Sequence, residues 1–345
     1  MKFKWSRRPA LAFLLIIAAP AGFPAAAETT APAYRPSAAV PVETISFDWR
    51  DAKRDRAVPV KIYFPKTAAG RFPVIVFSHG LGGSRTSYEY LGRYWAGHGY
   101  VAVHLQHLGS DSAVWQDGGM KDALANMRRA AANLANATNR PLDVSFAIDQ
   151  LEKLNRAESP LHDRLELSRI GMAGHSFGAF TTLAIAGEVF VTPGGGEISF
   201  ADPRVKAAVA MSSPVPARRA TLDQAFGRIQ IPCLHLTGTE DFSPIGETRP
   251  EERRVPYDHI RGADQVLVIF RGANHMTFSG VARPAAHETE EVFKKLICES
   301  STAFWDAYLK NDVAAKTWLT GAGFKTELGA EGTVEEKLPL TESAR

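Results

Sequence analysis

The chain has 345 residues, of which 45% are hydrophobic, 22% charged and 10% aromatic, with 28 Gly and 21 Pro. That composition excludes a collagenous, a disordered or a multi-span membrane protein. Its 40 Lys+Arg against 37 Asp+Glu give a formal charge of +3, but the excess sits at one end. Residues 1–27 combine a basic start (Lys2, Lys4, Arg7, Arg8), an apolar run from Ala10 to Ala19 and the cleavage-like Ala25-Ala26-Ala27. This is the pattern of an export signal, and its apolar run is about half of the roughly 20 residues a membrane span needs. Ser6-Arg7-Arg8 leaves the twin-arginine and general secretory routes both open. Without residues 1–27 the chain keeps 36 Lys+Arg against 37 Asp+Glu, a net charge of −1. No basic stripe then points to nucleic acid. The expectation is a secreted or periplasmic protein with no nucleic-acid partner and no integral membrane association. The sequence leaves its oligomeric state open.

Residues 28–42 are rich in Ala and Pro and read as a linker. Val42 to Trp49 and Ala57 to Phe64 alternate apolar and polar residues, which predicts an antiparallel strand pair. Phe72 to Phe77 is a short continuous apolar run, as in a strand covered on both faces. A helix is expected over Thr86 to Ala96, a strand over Tyr100 to Leu105, and a polar excursion from Gly109 to Gly119. Helical periodicity covers Lys121 to Ala135 and Leu142 to Leu154. Arg169 to Ala173 reads as a strand and Phe177 to Gly187 as the helix after it. Val205 to Met211, Cys233 to Leu236 and Val266 to Phe270 complete the expected sheet. A last long helix runs from about Pro284 to Leu309, a proline being suited to a first turn. Segments 191–203 and 214–232 read as insertions, and residues 319–345 as a loosely held polar tail. Strand–helix alternation predicts one α/β domain over residues 43–318, with a mostly parallel sheet, helices on both faces and an antiparallel pair at its start. Cys233 and Cys298 are too few for a zinc cluster or a disulfide framework. Two free thiols and one disulfide both remain open, the apolar run around Cys233 favouring buried thiols.

The strongest local signal is Gly174-His-Ser-Phe-Gly178, a G-x-S-x-G directly between an apolar strand and a helix. A serine carried on such a turn stands clear of the backbone, and the glycines avoid Cβ clashes there. A serine hydroxyl needs a base to act as nucleophile. His275, after the strand Val266 to Phe270, is the favoured base, with His287 its rival. His79 and His175 read as loop scaffolding. The acid that would orient the imidazole is Asp241 in Leu236-Thr-Gly-Thr-Glu-Asp-Phe242, with Glu240 as the alternative. Backbone N–H groups of Phe177, just after the serine, and of Leu81, in Ser78-His-Gly-Leu-Gly-Gly83, are the candidate oxyanion donors. Gln106 and His107, with Asp111, are candidates to line the substrate pocket. Trp115, Phe242 and Met276 are either pocket walls or core. Arg140 and Asp143 read as braces of a helix start. No cluster with metal-ligand spacing occurs, so no metal and no organic cofactor is expected.

Over roughly residues 43–310 the chain resembles secreted serine esterases of the α/β-hydrolase fold. It is most similar to the predicted dienelactone hydrolases and the platelet-activating-factor acetylhydrolases. The resemblance rests on His79-Gly-Leu-Gly-Gly83, Gln106-His-Leu-Gly-Ser-Asp111, Arg140-Pro-Leu-Asp143 and Gly174-His-Ser-Phe-Gly178. It implies Ser176 as nucleophile, His275 as base, Leu81 and Phe177 as oxyanion donors, and a small-molecule or lipid ester as substrate. There are two departures. Dienelactone hydrolases carry cysteine where this chain has Ser176. The acetylhydrolases take their acid after the sixth strand, where Ala210-Met-Ser-Ser-Pro214 offers no carboxylate, which turns the expectation to Asp241. The activity expected is that of a serine carboxylic-ester hydrolase with an acyl-enzyme intermediate. A serine amidase or peptidase, or a non-catalytic binding protein on the same fold, is the alternative.

Overall fold

Alternation of apolar and polar side chains zips β1 (Val42–Asp51) and β2 (Arg56–Pro65) into an antiparallel hairpin, from Val42↔Pro65 to Asp51↔Arg56. The computed structural model describes residues 1, 34–66, 69–115, 120–192, 194–216, 218–246, 248–281 and 287–339. The expected export signal, and the expected helix start at Pro284, lie outside those residues. Residues 33–345 form one compact unit. The described part of the expected linker is packed onto it. Tyr34 is buried and donates its hydroxyl to Asp306 at 2.5 Å, and the Val40 N–H bonds the Gly97 carbonyl at 2.9 Å.

Next come β3 (Phe72–Ser78), α1 (Glu89–Gly97) and β4 (Val101–Leu105). Ile75 and Phe77 of β3 enter one core cluster while Val74 and Val76 enter another on the opposite face. Its unbroken apolar run therefore reflects burial on both sides. After α2 (Met120–Ala132), helix α3 runs over Leu134–Leu154, with Asn133 accepting the Ala135 N–H at its start. This corrects the expected helix start at Leu142. Pro141 lies inside α3, although an interior proline costs about 3 kcal/mol. Buried polar bonds from Arg140 and Asp143, on either side of it, hold both halves in line. These two residues brace the middle of a helix, not its start.

β5 (Leu165–His175) leads directly into α4 (Phe177–Ala186), and the short hairpin of β6 (Val189–Val191) and β7 (Glu197–Ser199) follows. Then come β8 (Val205–Met211), α5 (Leu222–Phe226), β9 (Cys233–Glu240), α6 (Val255–His259) and β10 (Gln265–Asn274). The chain ends with α7 (His287–Leu309), α8 (Val313–Thr320), α9 (Ala322–Leu328) and β11 (Gly332–Lys337). The main sheet has the order β1-β2-β4-β3-β5-β8-β9-β10-β11. Its six inner strands, β4 to β10 in that order, are parallel, and antiparallel pairs close both edges. Helices α1 and α7 pack on one face, and α3 and α4 on the other. This is the α/β-hydrolase fold. In open parallel sheets the loops beyond the carboxyl ends of the strands form the ligand-binding edge. Ser176, Asp241, His275, Leu81 and Gln106 all follow such ends. Cys233 and Cys298 are both buried free thiols.

The expected polar tail is part of this fold. Leu319, Phe324 and Leu328 are buried, and β11 adds to the edge of the sheet from Gln265↔Lys337 to Phe270↔Gly332. Its Glu335 carboxylate takes two bonds from Arg254, at 3.0 and 2.9 Å. The strand carries one apolar inner residue, Val334, among charged ones, which is how edge strands resist further pairing and why its pattern reads as solvated. Phe324→Ala is expected to cost about 3–5 kcal/mol, as for other buried phenylalanines. Denaturant unfolding measures this, and a loss under about 0.5 kcal/mol, typical of surface sites, would show that the segment is not integral.

Candidate active site

Three backbone segments meet where β5 turns into α4. Ser176 sits between them at φ 56° and ψ −117°, a conformation costly for a residue with a Cβ. Its N–H bonds the Met211 carbonyl of β8 at 2.9 Å, and its carbonyl accepts the Ala179 N–H at 2.8 Å. A Cβ on Gly178 would lie 1.9 Å from the Ser78 carbonyl oxygen, and one on Gly174 2.3 Å from that of Gly178. Both flanking positions therefore require glycine by contact with backbone, which cannot yield as a side chain can.

The Ser176 hydroxyl lies 2.9 Å from His275 Nε2, and His275 Nδ1 lies 2.8 Å from Asp241 Oδ1. Asp241 is fully buried and its other oxygen accepts the Thr237 hydroxyl at 2.8 Å. Glu240, the alternative acid, is exposed at the end of β9. His275 follows a reciprocal cap: the Asn274 side chain accepts the Met276 N–H at 2.9 Å, and Thr277 Oγ1 accepts the Asn274 N–H at 3.1 Å. His287, the rival base, instead opens α7. With Nδ1–H donated to Asp241, His275 Nε2 is left as the acceptor for the serine proton.

One residue at this site has no counterpart in the sequence reading. Arg253, only 2% exposed, stands 3.3 Å from Asp241 Oδ1 and donates to the carbonyls of Asp241, Ser212 and Ser213 at 3.1, 3.1 and 3.0 Å. It also lies 3.3 Å from His275 Nδ1. That nitrogen already carries the proton given to Asp241, so the guanidinium acts on the carboxylate. Arg253 comes from the charged run Arg249-Pro-Glu-Glu-Arg-Arg254, in which nothing local marks it for burial.

On the other side of Ser176, the β3 loop rests on a sealed polar network. Arg140 donates to Ser78 Oγ at 3.0 Å, Ser110 Oγ at 2.8 Å and Thr181 Oγ1 at 3.0 Å, and to the His79 carbonyl. Its guanidinium lies 4.5 Å from the centre of the Phe177 ring. Having accepted from Arg140, Ser78 Oγ donates to His107 Nε2 at 2.9 Å, and His107 Nδ1 donates to Asp143 at 3.0 Å. The His107 N–H donates to His79 Nε2 at 3.0 Å, and His79 Nδ1 donates to the Gly80 carbonyl at 2.6 Å. Arg56 fixes Asp143 through two bonds at 2.9 and 3.0 Å. Burial, helped by the Arg140 charge, drives His107 down to about 4, so it is neutral at pH 7. Burial would raise the Asp143 carboxyl, but its bonds to His107 and Arg56 hold it below the usual range. Ser78, His107 and Asp143 thus repeat the order of groups found at Ser176, yet each is 0% exposed. No substrate reaches them.

His107 is therefore a framework residue, which corrects its expected place in the substrate pocket. Gln106 is half-buried, with its amide donated to Asp111 at 2.7 Å. His79 and His175 are buried scaffolding. The His175 ring lies 4.7 Å from that of His275, and its Nδ1 meets the Tyr88 hydroxyl at 2.7 Å. Trp115, Phe242 and Met276 are 48%, 62% and 47% exposed, so none is core. Trp115 donates its ring N–H to the Gly82 carbonyl at 2.8 Å, and Phe242 lines a cavity of about 670 Å³ beside the Asp241 loop. Gly82 N–H bonds Ser110 O and Gly83 N–H bonds Gly80 O. The N–H groups of Leu81 and Phe177 donate to nothing among the described residues. None of the described His, Cys, Asp or Glu side chains cluster in threes in a way that could hold a metal ion.

The family model described as platelet-activating factor acetylhydrolase, isoform II, matches residues 52–129, which contain β2, the β3 loop and most of its polar network. Three curated relatives are named platelet-activating factor acetylhydrolase. That of Canis lupus familiaris is 25% identical over 246 residues, covering 62% of this chain and 50% of its own. That of Cavia porcellus is 26% identical over 154 residues, 38% of this chain and 35% of its own, and that of Bos taurus 23% over 237 residues, 60% and 48%. The matches span about half or less of each relative. By these matches the chain is similar to the platelet-activating factor acetylhydrolase-like esterases of the α/β-hydrolase fold.

Proposed function

We propose that the chain is a serine carboxylic-ester hydrolase in which Ser176 is the nucleophile, His275 the base and Asp241 the acid. The observation that carries this is the unbroken hydrogen-bonded line Ser176–His275–Asp241, at 2.9 and 2.8 Å, beginning at a strained turn residue. As Ser176 Oγ attacks the ester carbonyl, His275 Nε2 takes its proton and Asp241 stabilises the imidazolium. The N–H groups of Leu81 and Phe177 receive the oxyanion. His275 then protonates the departing alcohol, leaving the acyl group on Ser176. Water gives a proton to His275 as it attacks that ester; the bond to Ser176 Oγ then breaks, His275 returns the proton to the serine oxygen, and the carboxylic acid leaves. Arg253 acts through Asp241, holding its carboxylate in place, and the Arg140 network acts through the loop that carries Leu81.

The relatives' name supports a substrate with a short acyl group. The exposed Phe242 and Met276, each two residues beyond a strand end, and Trp115, held against the β3 loop at Gly82, supply apolar surface around the site. The basic, apolar and small-residue pattern of residues 1–27 supports export with cleavage near Ala27. Among the described residues no helix is long and apolar enough to cross a membrane.

Ser176→Ala is expected to lower kcat on p-nitrophenyl acetate by at least about 10⁴-fold, since nucleophile and base act as a unit. It should also abolish labelling by a fluorophosphonate. Near-normal turnover would refute the assignment, and hydrolysis of the matched anilide as fast as the ester would favour an amidase. Asp143→Asn tests the network. If it positions the Leu81 N–H, kcat of the folded protein falls about 10- to 100-fold with KM little changed, the usual effect of a misplacement near 1 Å. Loss of stability with unchanged kcat would confine Asp143 to a structural role.

A further inference from the structure

A second cavity, of about 350 Å³, opens beside α4 and is walled by Phe180, Phe190, Val191, Val215 and Ala225. Volumes of this order hold small ligands. The rings of Phe180 and Phe190 stand 5.3 Å apart between centres. Into this apolar lining the chain places Glu188, which is 3% exposed and has no hydrogen bond or ion pair to its side chain among the described residues. A buried carboxyl without a partner is costly unless something supplies one. Neither Ser176 nor the polar network uses it.

We propose that this cavity binds a small organic cation on an apolar stem, an alkylammonium, with Glu188 as counter-ion and the Phe180 and Phe190 rings as walls. Aromatic faces attract such cations, and more so when water is excluded. Desolvation alone pushes the Glu188 carboxyl up to about 8. Arg218, the other charged residue of the lining, donates its guanidinium to the Thr192 carbonyl at 3.1 Å. With no cation beside it, Glu188 is therefore a neutral acid at pH 7. An entering ammonium leaves a carboxylate behind, and the displaced proton passes to the buffer, so charge balances. Phe180 lies four residues after Ser176 and Pro214 directly follows Ser213, which places an occupant alongside the serine turn without using the serine.

The test is calorimetry at pH 7 on the full chain, comparing n-hexyltrimethylammonium with n-hexanol in two buffers of different ionisation enthalpy. The ammonium is expected to bind at least 10-fold more tightly than the alcohol and to release close to one proton. Glu188→Gln should remove that preference and leave the hexanol affinity unchanged. Equal affinities, failure of both probes to bind, binding without proton release, or a preference that survives in Glu188→Gln would overturn the proposal. Should Glu188→Gln not fold, proton release by the unmodified chain decides. The same titration on Ser176→Ala keeps the result independent of any ester hydrolysis.

Discussion

The constraint on which this molecule depends is the contact between the first turn of α4 and the end of β3. With 1.9 Å between the Ser78 carbonyl oxygen and the place a Gly178 Cβ would occupy, main chain touches main chain. That closeness sets the sharpness of the turn and hence the left-handed conformation of Ser176. It also fixes where the β3 loop begins relative to the serine. A side chain at residue 178 would push the loop and the serine turn apart, and every distance between them would change together.

Strain of this kind, about 1–3 kcal/mol for a non-glycine residue in such a conformation, persists only where the surroundings over-determine it. Here they do so from both sides. Ser176 N–H is tied to β8 through Met211, while the start of α4 is tied to Arg140 through Phe177 in its first turn and Thr181 in its second. Arg140 belongs to α3, whose apolar face, with Val144, Ala147, Ile148 and Leu151, is buried against the sheet. The apolar packing of α3 thus becomes positional accuracy at a polar loop.

The parts legible in the sequence were those governed by local pattern. Period-two alternation gave β1 and β2, unbroken apolar runs gave the inner strands, and G-x-S-x-G between strand and helix gave the serine turn. Asp241 and His275 were legible because strand-end loops of a parallel sheet converge. Illegible were residues whose role depends on what lies across the fold. Arg253 sits in a charged run, and nothing local marks which of its three arginines turns inward. His107 lies two residues past the expected strand end, where an exposed pocket residue and a sealed one look alike. Pro141 argues locally for a helix start, and only the buried bonds of Arg140 and Asp143 outweigh it. β11 has a surface composition because it is an edge strand, and the helices before it are buried in the core cluster they share with α7.

Arg140 and Arg253 also solve one problem in the same way. A binding edge at the carboxyl ends of parallel strands must be built from irregular backbone, and irregular backbone leaves carbonyl oxygens without ladder partners. Buried carbonyls need donors. A guanidinium offers five N–H donors in a fixed plane, so one side chain serves several segments. Arg253 takes the carbonyls of Ser212 and Ser213 after β8 and of Asp241 after β9. Arg140 takes that of His79 after β3, and Arg56 that of Leu108 after β4. A lysine, with three donors on one nitrogen, could not reach this spread of oxygens. Burying each arginine is expensive, and the cost is offset because every N–H so used removes an unsatisfied carbonyl as well. The guanidinium groups therefore knit the ends of β3, β4, β8 and β9 into one surface, and Ser176 stands at its centre.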